Sequence, residues 1–333
     1  MQPFSYVRVE SPDDAVTALA SAGAEAKFLA GGTTLYDLMK LDVEAPTTVV
    51  DVRALPGLTD VAAGPDGLRL GAMATMSAVA DDATVRRDYP ALAESLSQAA
   101  SRQLRNMASV GGNLLQRTRC SYFRGDPGYP CNKRSPGSGC AAIGGIDRGL
   151  AVLGTSDACI ANYPGDWAVA LTAFDASIET VSPRGPRTVS IHDLHVEPGQ
   201  TPWVEHTLAP DELITAITVP ALAFGPTSTY LKIRDRESYA FALASAAVAV
   251  DLADDGTVRE ARIALGGVAS RPWRAREAEA TLVGGPLTTE TARRAGEAAY
   301  AGATPGQFNG FKIELGIRTV ADALLIAQGR VNR

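Results

Sequence analysis

The sequence has no uninterrupted apolar run long enough to cross a bilayer. Its longest candidate, Tyr239 to Leu252, is broken by Ser245 and ends in Asp251-Leu252, so it reads as a buried strand. Basic residues are not in excess. The 31 Lys and Arg face 37 Asp and Glu, a net charge of −6, and a chain without a basic face has little to neutralise a phosphate backbone. A membrane span and nucleic acid are therefore excluded. Histidine is scarce, at three residues. His192 and His195 stand at i, i+3 without a third ligand, so all three histidines are read as structural. No Ser–His–Asp or paired-carboxylate pattern is present, which leaves hydrolysis without support. Met1 to Glu10 lack the basic segment and apolar core of a secretory leader. The expected compartment is cytoplasmic, with the periplasm reached only by export alongside a signal-bearing partner.

What remains is an ordinary globular composition, 46% hydrophobic and 20% charged over 333 residues, enough for two or three compact units. Ser11-Pro12-Asp13-Asp14 opens a helix with a cap residue, a proline at the first helical position and two acids at the positive helix end. Lys27 to Ala30, Gly31-Gly32-Thr33-Thr34 and then Leu35, Leu38 and Met39 read as strand, glycine turn and helix. Thr48 to Val52 and Leu68 to Ala72 read as strands. Apolar residues from Pro90 to Asn106 recur at helical intervals and predict one helix running into Ala108 to Leu114, a second glycine turn. Glu212 to Val219 is a strand, Pro220 to Pro226 a linker, and beyond it come strands at 229–234 and 240–252. The turn Asp254-Asp255-Gly256 pairs the latter with Val258 to Val268. Helices follow near 274–283, 289–302 and 311–328.

Chemistry concentrates in three places. The two Gly-Gly loops can each present backbone amides to a phosphate, with Thr33, Thr34, Ser109 and Asn113 as side-chain donors. A nicotinamide-binding Rossmann unit competes, because Asp51 lies about 20 residues past the first loop. The third glycine of that fingerprint is missing, and Asp51 is taken as a strand-end structural residue. The third place is the glycine- and proline-rich stretch 117–165, which holds all four cysteines, Cys120, Cys131, Cys140 and Cys159, and whose order must come from something other than core packing. Two disulfides, a structural zinc and a [4Fe–4S] cluster all remain open from spacing alone, with the cluster slightly favoured: zinc ligands usually pair two to four residues apart, and disulfides suit small secreted domains. Arg117, Arg119, Arg124, Lys133 and Arg134 would set positive charge near an anionic cluster, or else be solvated surface cations.

The segments Lys27-Phe28-Leu29-Ala30-Gly31-Gly32-Thr33-Thr34-Leu35 and Ala108-Ser109-Val110-Gly111-Gly112-Asn113-Leu114 resemble the two pyrophosphate loops in the FAD-binding medium subunits of the xanthine dehydrogenase/aldehyde oxidase family. The likeness runs over essentially the whole chain. It implies an α+β fold: a two-subdomain FAD-binding domain of the PCMH type, divided into 1–53 and 54–220 with an insertion at about 117–165, then a CO-dehydrogenase-flavoprotein-like α+β domain at 226–330. It implies FAD on Lys27, Phe28, Leu29, Ala30, Gly31, Gly32, Thr33 and Thr34 of the first loop and Ala108, Ser109, Gly111, Gly112 and Asn113 of the second. It also implies Asp166 against the adenosine, Leu213 and Ile214 lining the pocket, and Lys232 near the flavin. Thr34 departs from the Asn or Asp of many relatives.

The insertion, absent from most such subunits, is similar to that of bacterial periplasmic aldehyde oxidoreductase flavin subunits, which hold an additional [4Fe–4S] cluster. Gln116 to Cys120, Pro130 to Arg134 and Pro136 to Cys140 carry this likeness, and it implies Cys120, Cys131, Cys140 and Cys159 as ligands. The implied role is electron transfer in a molybdenum-containing aldehyde oxidoreductase: a molybdopterin-binding large subunit oxidises an aldehyde, a [2Fe–2S] small subunit relays electrons, and this chain passes them through FAD to an external acceptor. The implied assembly is a heterotrimer or its dimer. A self-sufficient flavin oxidase and a zinc-stapled interaction module are the competing classes.

Overall fold

The computed structural model describes residues 1–331. β1 (Ser5–Arg8), α1 (Pro12–Ala22), β2 (Ala26–Leu29), α2 (Leu35–Lys40) and β3 (Thr48–Asp51) form a parallel sheet in the order β1-β3-β2. Parallel strands need crossovers, and the two helices supply them. Ser11 caps α1 by accepting the Asp14 amide at 3.0 Å, and Ala15, Val16 and Leu19 form its buried face. The first glycine loop is the connection from β2 to α2.

The chain continues through β4 (Val61–Gly64), β5 (Gly67–Gly71), α3 (Met76–Asp81), α4 (Ala83–Asp88), α5 (Pro90–Ser97), α6 (Arg102–Arg105), α7 (Val110–Leu114), α8 (Ser121–Arg124), α9 (Trp167–Ala173), β6 (Ser177–Ser182), β7 (Gly185–Ser190), α10 (Ile191–Leu194) and β8 (Leu213–Pro220). The strands make an antiparallel sheet in the order β4-β5-β8-β6-β7. The single helix expected from Pro90 to Asn106 is instead two. Ala100 turns left-handed at φ 46°, and Ser101 starts α6 by accepting the Leu104 amide at 3.3 Å. A serine able to cap thus ends the run that apolar spacing alone would continue. Nor is the second Gly-Gly pair a turn after a helix, because Gly111 and Gly112 lie inside α7 with Ser109 as its cap.

β9 (Thr229–Ile233), β10 (Ala244–Leu252), β11 (Val258–Gly266) and β12 (Trp273–Arg274) form a third sheet in the order β12-β11-β10-β9, followed by α11 (Arg276–Leu282), α12 (Thr289–Ala299) and α13 (Phe311–Val331). β10 starts at Ala244 rather than Ala240, because Tyr239 takes a left-handed φ of 54° and delays the pairing.

Residues of the first two sheets share one apolar core, the C-terminal sheet and helices build a second, and the insertion builds a third. The third differs from expectation: Phe123, Ala142, Leu150 and Ala161 pack with the cysteines, and with Leu38 of α2, into a small core. The insertion is also tied to the C-terminal unit, where the Asp147 carboxylate accepts the amides of Gln307 at 2.7 Å and Phe308 at 2.8 Å.

Gly31 brings the first unit against the second. A Cβ there would lie 1.9 Å from the Met107 carbonyl oxygen, whereas one on Gly64 would meet nothing within 4 Å. Gly31→Ala is therefore expected to destabilise the protein by about 2–3 kcal/mol through overpacking, and Gly64→Ala by no more than about 0.5 kcal/mol. Denaturant unfolding checks both, and equal midpoints would contradict the close approach.

Candidate dinucleotide site

The first glycine loop faces a cavity of about 610 Å³. Its backbone is unusually free. The amides of Gly31, Gly32, Thr33 and Thr34 find no acceptor among the described residues, while the carbonyls of Gly32 and Thr34 already hold the first turn of α2 at 3.0 Å each. Gly32 has φ 74°, the left-handed turn that swings the loop from strand to helix. Consecutive unpaired amides at a cavity wall form a concave donor set suited to an anion such as a pyrophosphate.

The second loop is built differently. The amide of Val110 donates to Ala74 O and that of Gly111 to Ala72 O, both at 2.9 Å, Gly112 donates to Ser109 Oγ at 3.2 Å, and Asn113 to Ser109 O at 2.9 Å. The two loops are thus not equivalent amide cradles. The second is a rigid floor whose glycines permit close packing: a Cβ on Gly111 would lie 2.7 Å from that of Ala72, and one on Gly112 2.8 Å from Ser109 Oγ.

Of the expected contact residues, Lys27, Phe28, Ala30, Gly31, Gly32, Thr33, Thr34, Ala108, Ser109, Gly111, Gly112, Asn113, Leu213 and Ile214 line this cavity. Leu29, Asp166 and Lys232 are not part of its lining. Asp166 lies buried at the start of α9, accepting from Tyr230 Oη at 2.5 Å and Lys232 Nζ at 2.8 Å. Burial pushes its carboxyl up, against the opposing pull of Lys232 and Tyr230. The pair joins the second unit to β9. Asp166→Ala would strand a lysine ammonium whose side chain is 1% exposed, at an expected cost of about 3–5 kcal/mol. Denaturant unfolding should show much of that loss recovered in the double variant with Lys232→Met.

The lining is completed by Gln116, by Arg117, Thr118, Lys133 and Ala161 of the insertion, and by the segment that carries His195, Glu205 and His206. The five basic residues of the insertion are neither free nor simply solvated. Arg117 pairs with Glu44 at 2.7 Å and with Glu205, Lys133 with Glu205 at 3.0 Å, and Arg119 and Arg124 both with Asp37. Arg134 donates to the carbonyl oxygens of Gly125 at 2.9 Å and Asp42 at 3.3 Å. Asp51 is tied to Arg53 at 2.8 Å and to Tyr6, a structural placement that holds its carboxyl well below the usual range.

The three histidines occupy two kinds of place. His192 is structural, with Nε2 2.6 Å from Asp175, but His195 and His206 line the cavity. Nothing local marks them, because His195 meets Leu114 across 81 residues of chain. Burial lowers His195 to about 4 and also lowers His206. Between about pH 6.5 and 4 the unfolded chain binds a proton that folded His195 refuses, so stability should be complete above that window and fall as pH drops through it. Thermal unfolding against pH checks this, with a shallower slope expected for His195→Gln.

The four cysteines gather in the insertion's small core, Cys120, Cys131 and Cys159 buried and Cys140 half-buried, and none is in a disulfide. Cys131 and Cys140 face each other across an antiparallel bridge. Burial raises the thiols of Cys120 and, to about 11, Cys159. Among the described residues, no three His, Cys, Asp or Glu side chains are set closely enough to hold a metal ion.

Residues 2–222 match the family model described as FAD binding domain in molybdopterin dehydrogenase, and 229–316 match the CO dehydrogenase flavoprotein C-terminal domain. The chain is 46% identical over 332 residues to the aldehyde oxidoreductase FAD-binding subunit PaoB of Escherichia coli K12, covering 99% of this chain and all of that one. It is 29% identical to the nicotine 6-hydroxylase medium subunit of Paenarthrobacter nicotinovorans, over 88% of this chain and 84% of the relative. Among solved structures, a carbon monoxide dehydrogenase chain from Hydrogenophaga pseudoflava superposes with a TM-score of 0.77 at 27% identity, covering 99% and 98% of the two chains. With both of its parts matched in order along the chain, this protein belongs to the family of FAD-binding medium subunits of molybdenum hydroxylases.

Proposed function

We propose that this chain carries electrons in a molybdenum-containing aldehyde oxidoreductase, through FAD at the glycine-loop cavity and a [4Fe–4S] cluster on Cys120, Cys131, Cys140 and Cys159. The observation that carries the reading is a shared lining: the cavity lined by Gly31 to Thr34, whose amides are unpaired, is also lined by Arg117, Thr118, Lys133 and Ala161 of the insertion that gathers the cysteines. The aldehyde specificity is supported by the 46% identical relative, whose likeness spans the insertion. Substrate oxidation belongs to a molybdopterin-binding large subunit, with a [2Fe–2S] small subunit as relay. The compartment is the cytoplasm unless a partner carries an export signal.

FAD, when bound, accepts electrons singly and releases them in pairs. The chain's own residues hold and shape. The amides of Gly31 to Thr34 donate to the pyrophosphate, and Gly112 keeps the facing floor low enough to admit it. Leu213 and Ile214 exclude water from the apolar side. The pairs around Glu205 fix Arg117 and Lys133 between the cavity and the cysteines, so that neither cation is left unbalanced in a partly buried wall. Four cysteines gathered in one small core supply the number of thiolates a [4Fe–4S] cluster needs.

Iron, acid-labile sulfide, zinc and FAD should be measured on protein purified anaerobically with its partners. About four irons and four sulfides are expected per chain, with one FAD. Zinc without sulfide would overturn the cluster. Cys131→Ser should lose the iron and also weaken FAD retention, because Arg117 and Lys133 of the insertion form part of the flavin wall. Complete loss of iron with unchanged FAD affinity would contradict the shared lining.

A further inference from the structure

The strands that carry Cys131 and Cys140 bring the two thiols together before anything binds them. The Asn132 amide donates to Gly139 O at 2.7 Å and the Ala141 amide to Pro130 O at 2.8 Å, with Cys131 and Cys140 directly opposite each other between these two bonds. That is the non-hydrogen-bonded site of an antiparallel pair, where facing α-carbons stand about 4.5 Å apart and both side chains leave the same face. A disulfide spans α-carbons about 4.4–6.8 Å apart, so this pair meets its requirement with the backbone as it stands. Side chains hold the register too: Ser138 Oγ accepts the Cys131 amide at 3.0 Å, and Asn132 Oδ1 accepts the Gly139 amide at 2.9 Å.

No other two cysteines are so placed. Cys159 faces Ser156 across its own antiparallel bridge, and Cys120 lies at the start of α8, outside any bridge among the described residues. Access differs as well: Cys120, Cys131 and Cys159 are buried, whereas Cys140 is half-buried and is the thiol that a soluble oxidant reaches. We propose that Cys131 and Cys140 are a reversible thiol–disulfide pair, closed across the two strands whenever the insertion's thiols hold no cluster. The inference rests on the cluster reading above only for when the thiols are free. The oxidant is a low-molecular-weight disulfide such as glutathione disulfide. The Cys140 thiolate attacks one of its sulfurs, breaking that S–S bond and releasing a glutathione thiolate. Cys131 then attacks the Cys140 sulfur of the mixed disulfide and releases the second glutathione. Two electrons pass from the cysteines to the glutathione sulfurs, and the two cysteine protons end on the released thiols. The closed pair shields both sulfurs from irreversible oxidation. It also withholds two of the four thiolates that a [4Fe–4S] cluster needs, so loading the insertion requires a reductant.

The test uses the full-length protein purified anaerobically with its partners, both as purified and after a chelator has removed its iron. Each sample is held in glutathione buffers of rising oxidised fraction, quenched with acid, and alkylated in denaturant. Trypsin cuts after Lys133 and Arg134, so Cys131 and Cys140 leave on separate peptides that stay joined only through a disulfide. In the iron-free chain this joined pair should be the first and dominant crosslink, with Cys120 and Cys159 still alkylated, and dithiothreitol should abolish it. Crosslinks spread over several pairings, a joined Cys120–Cys159, or a Cys140 that stops at the mixed disulfide with glutathione, overturns the proposal. The iron-loaded protein reads the cluster separately. It should resist crosslinking until iron is lost, and a Cys131–Cys140 crosslink formed with all iron retained would overturn the cluster's ligand set while leaving the pair standing. Protein that carries no iron as purified fails the cluster reading, and the pair is then read on it directly.

Discussion

The approach of two backbones at Gly31 is the constraint on which the rest of the molecule depends. The Met107 carbonyl occupies the space a side chain would need, so the β2-to-α2 loop lies directly on the segment entering α7. Close contact there has two effects. It fuses the first two units into one core, with Val16 and Val50 of the first packed alongside Leu68 and Leu70 of the second. It also leaves the amides of Gly31 to Thr34 facing outward over a floor already satisfied by its own hydrogen bonds. The donors are preorganised because nothing else in the chain competes for them, and a ligand that accepts from them need not first break a protein contact.

Charge is handled by the same economy of position. Asp37, Glu44 and Glu205 come from separate parts of the chain, yet together they compensate Arg117, Arg119, Arg124 and Lys133 of the insertion. Arg117 also lies over the Phe123 ring at 4.6 Å, which ties the cavity wall to the insertion's apolar core. Four cations on one partly buried stretch would repel one another without these carboxylates. With them, the insertion is held to both the first unit and the segment carrying His195, and its geometry is set from outside as well as by its cysteines.

How much of this was legible in the sequence follows the range of the interaction. Ser11-Pro12 and Asp254-Asp255-Gly256 act within a few residues, and the helix and hairpin they mark are where local chemistry places them. The glycine loops were legible as motifs, but their unequal roles were not, because the acceptors of the second loop, Ala72 and Ala74, lie over thirty residues upstream. The break at Ala100 was hidden by apolar spacing that continues across it. The hairpin β6–β7 was missed for a related reason: its inward positions include Thr180 and Ser182, which turn polar atoms to Glu212 and to the Gly185 carbonyl of β7 instead of showing apolar alternation. The pairing of Arg117 with carboxylates 73 and 88 residues away leaves no local trace, and neither does the contact of His195 with Leu114.

The four cysteines show why a motif and a site are different things. Their confinement to one stretch is a sequence fact, and the structure brings them into one core without closing them on a single point. A core so small gains little from burial alone, since its apolar members are few and Cys140 remains half-buried. Its order therefore leans on what surrounds it: the amides of Gln307 and Phe308 holding Asp147, and the Glu205 pairs. Because Lys133 and Arg117 belong both to that stretch and to the cavity wall, the ion pairs that order the insertion also fix part of the cavity's lining.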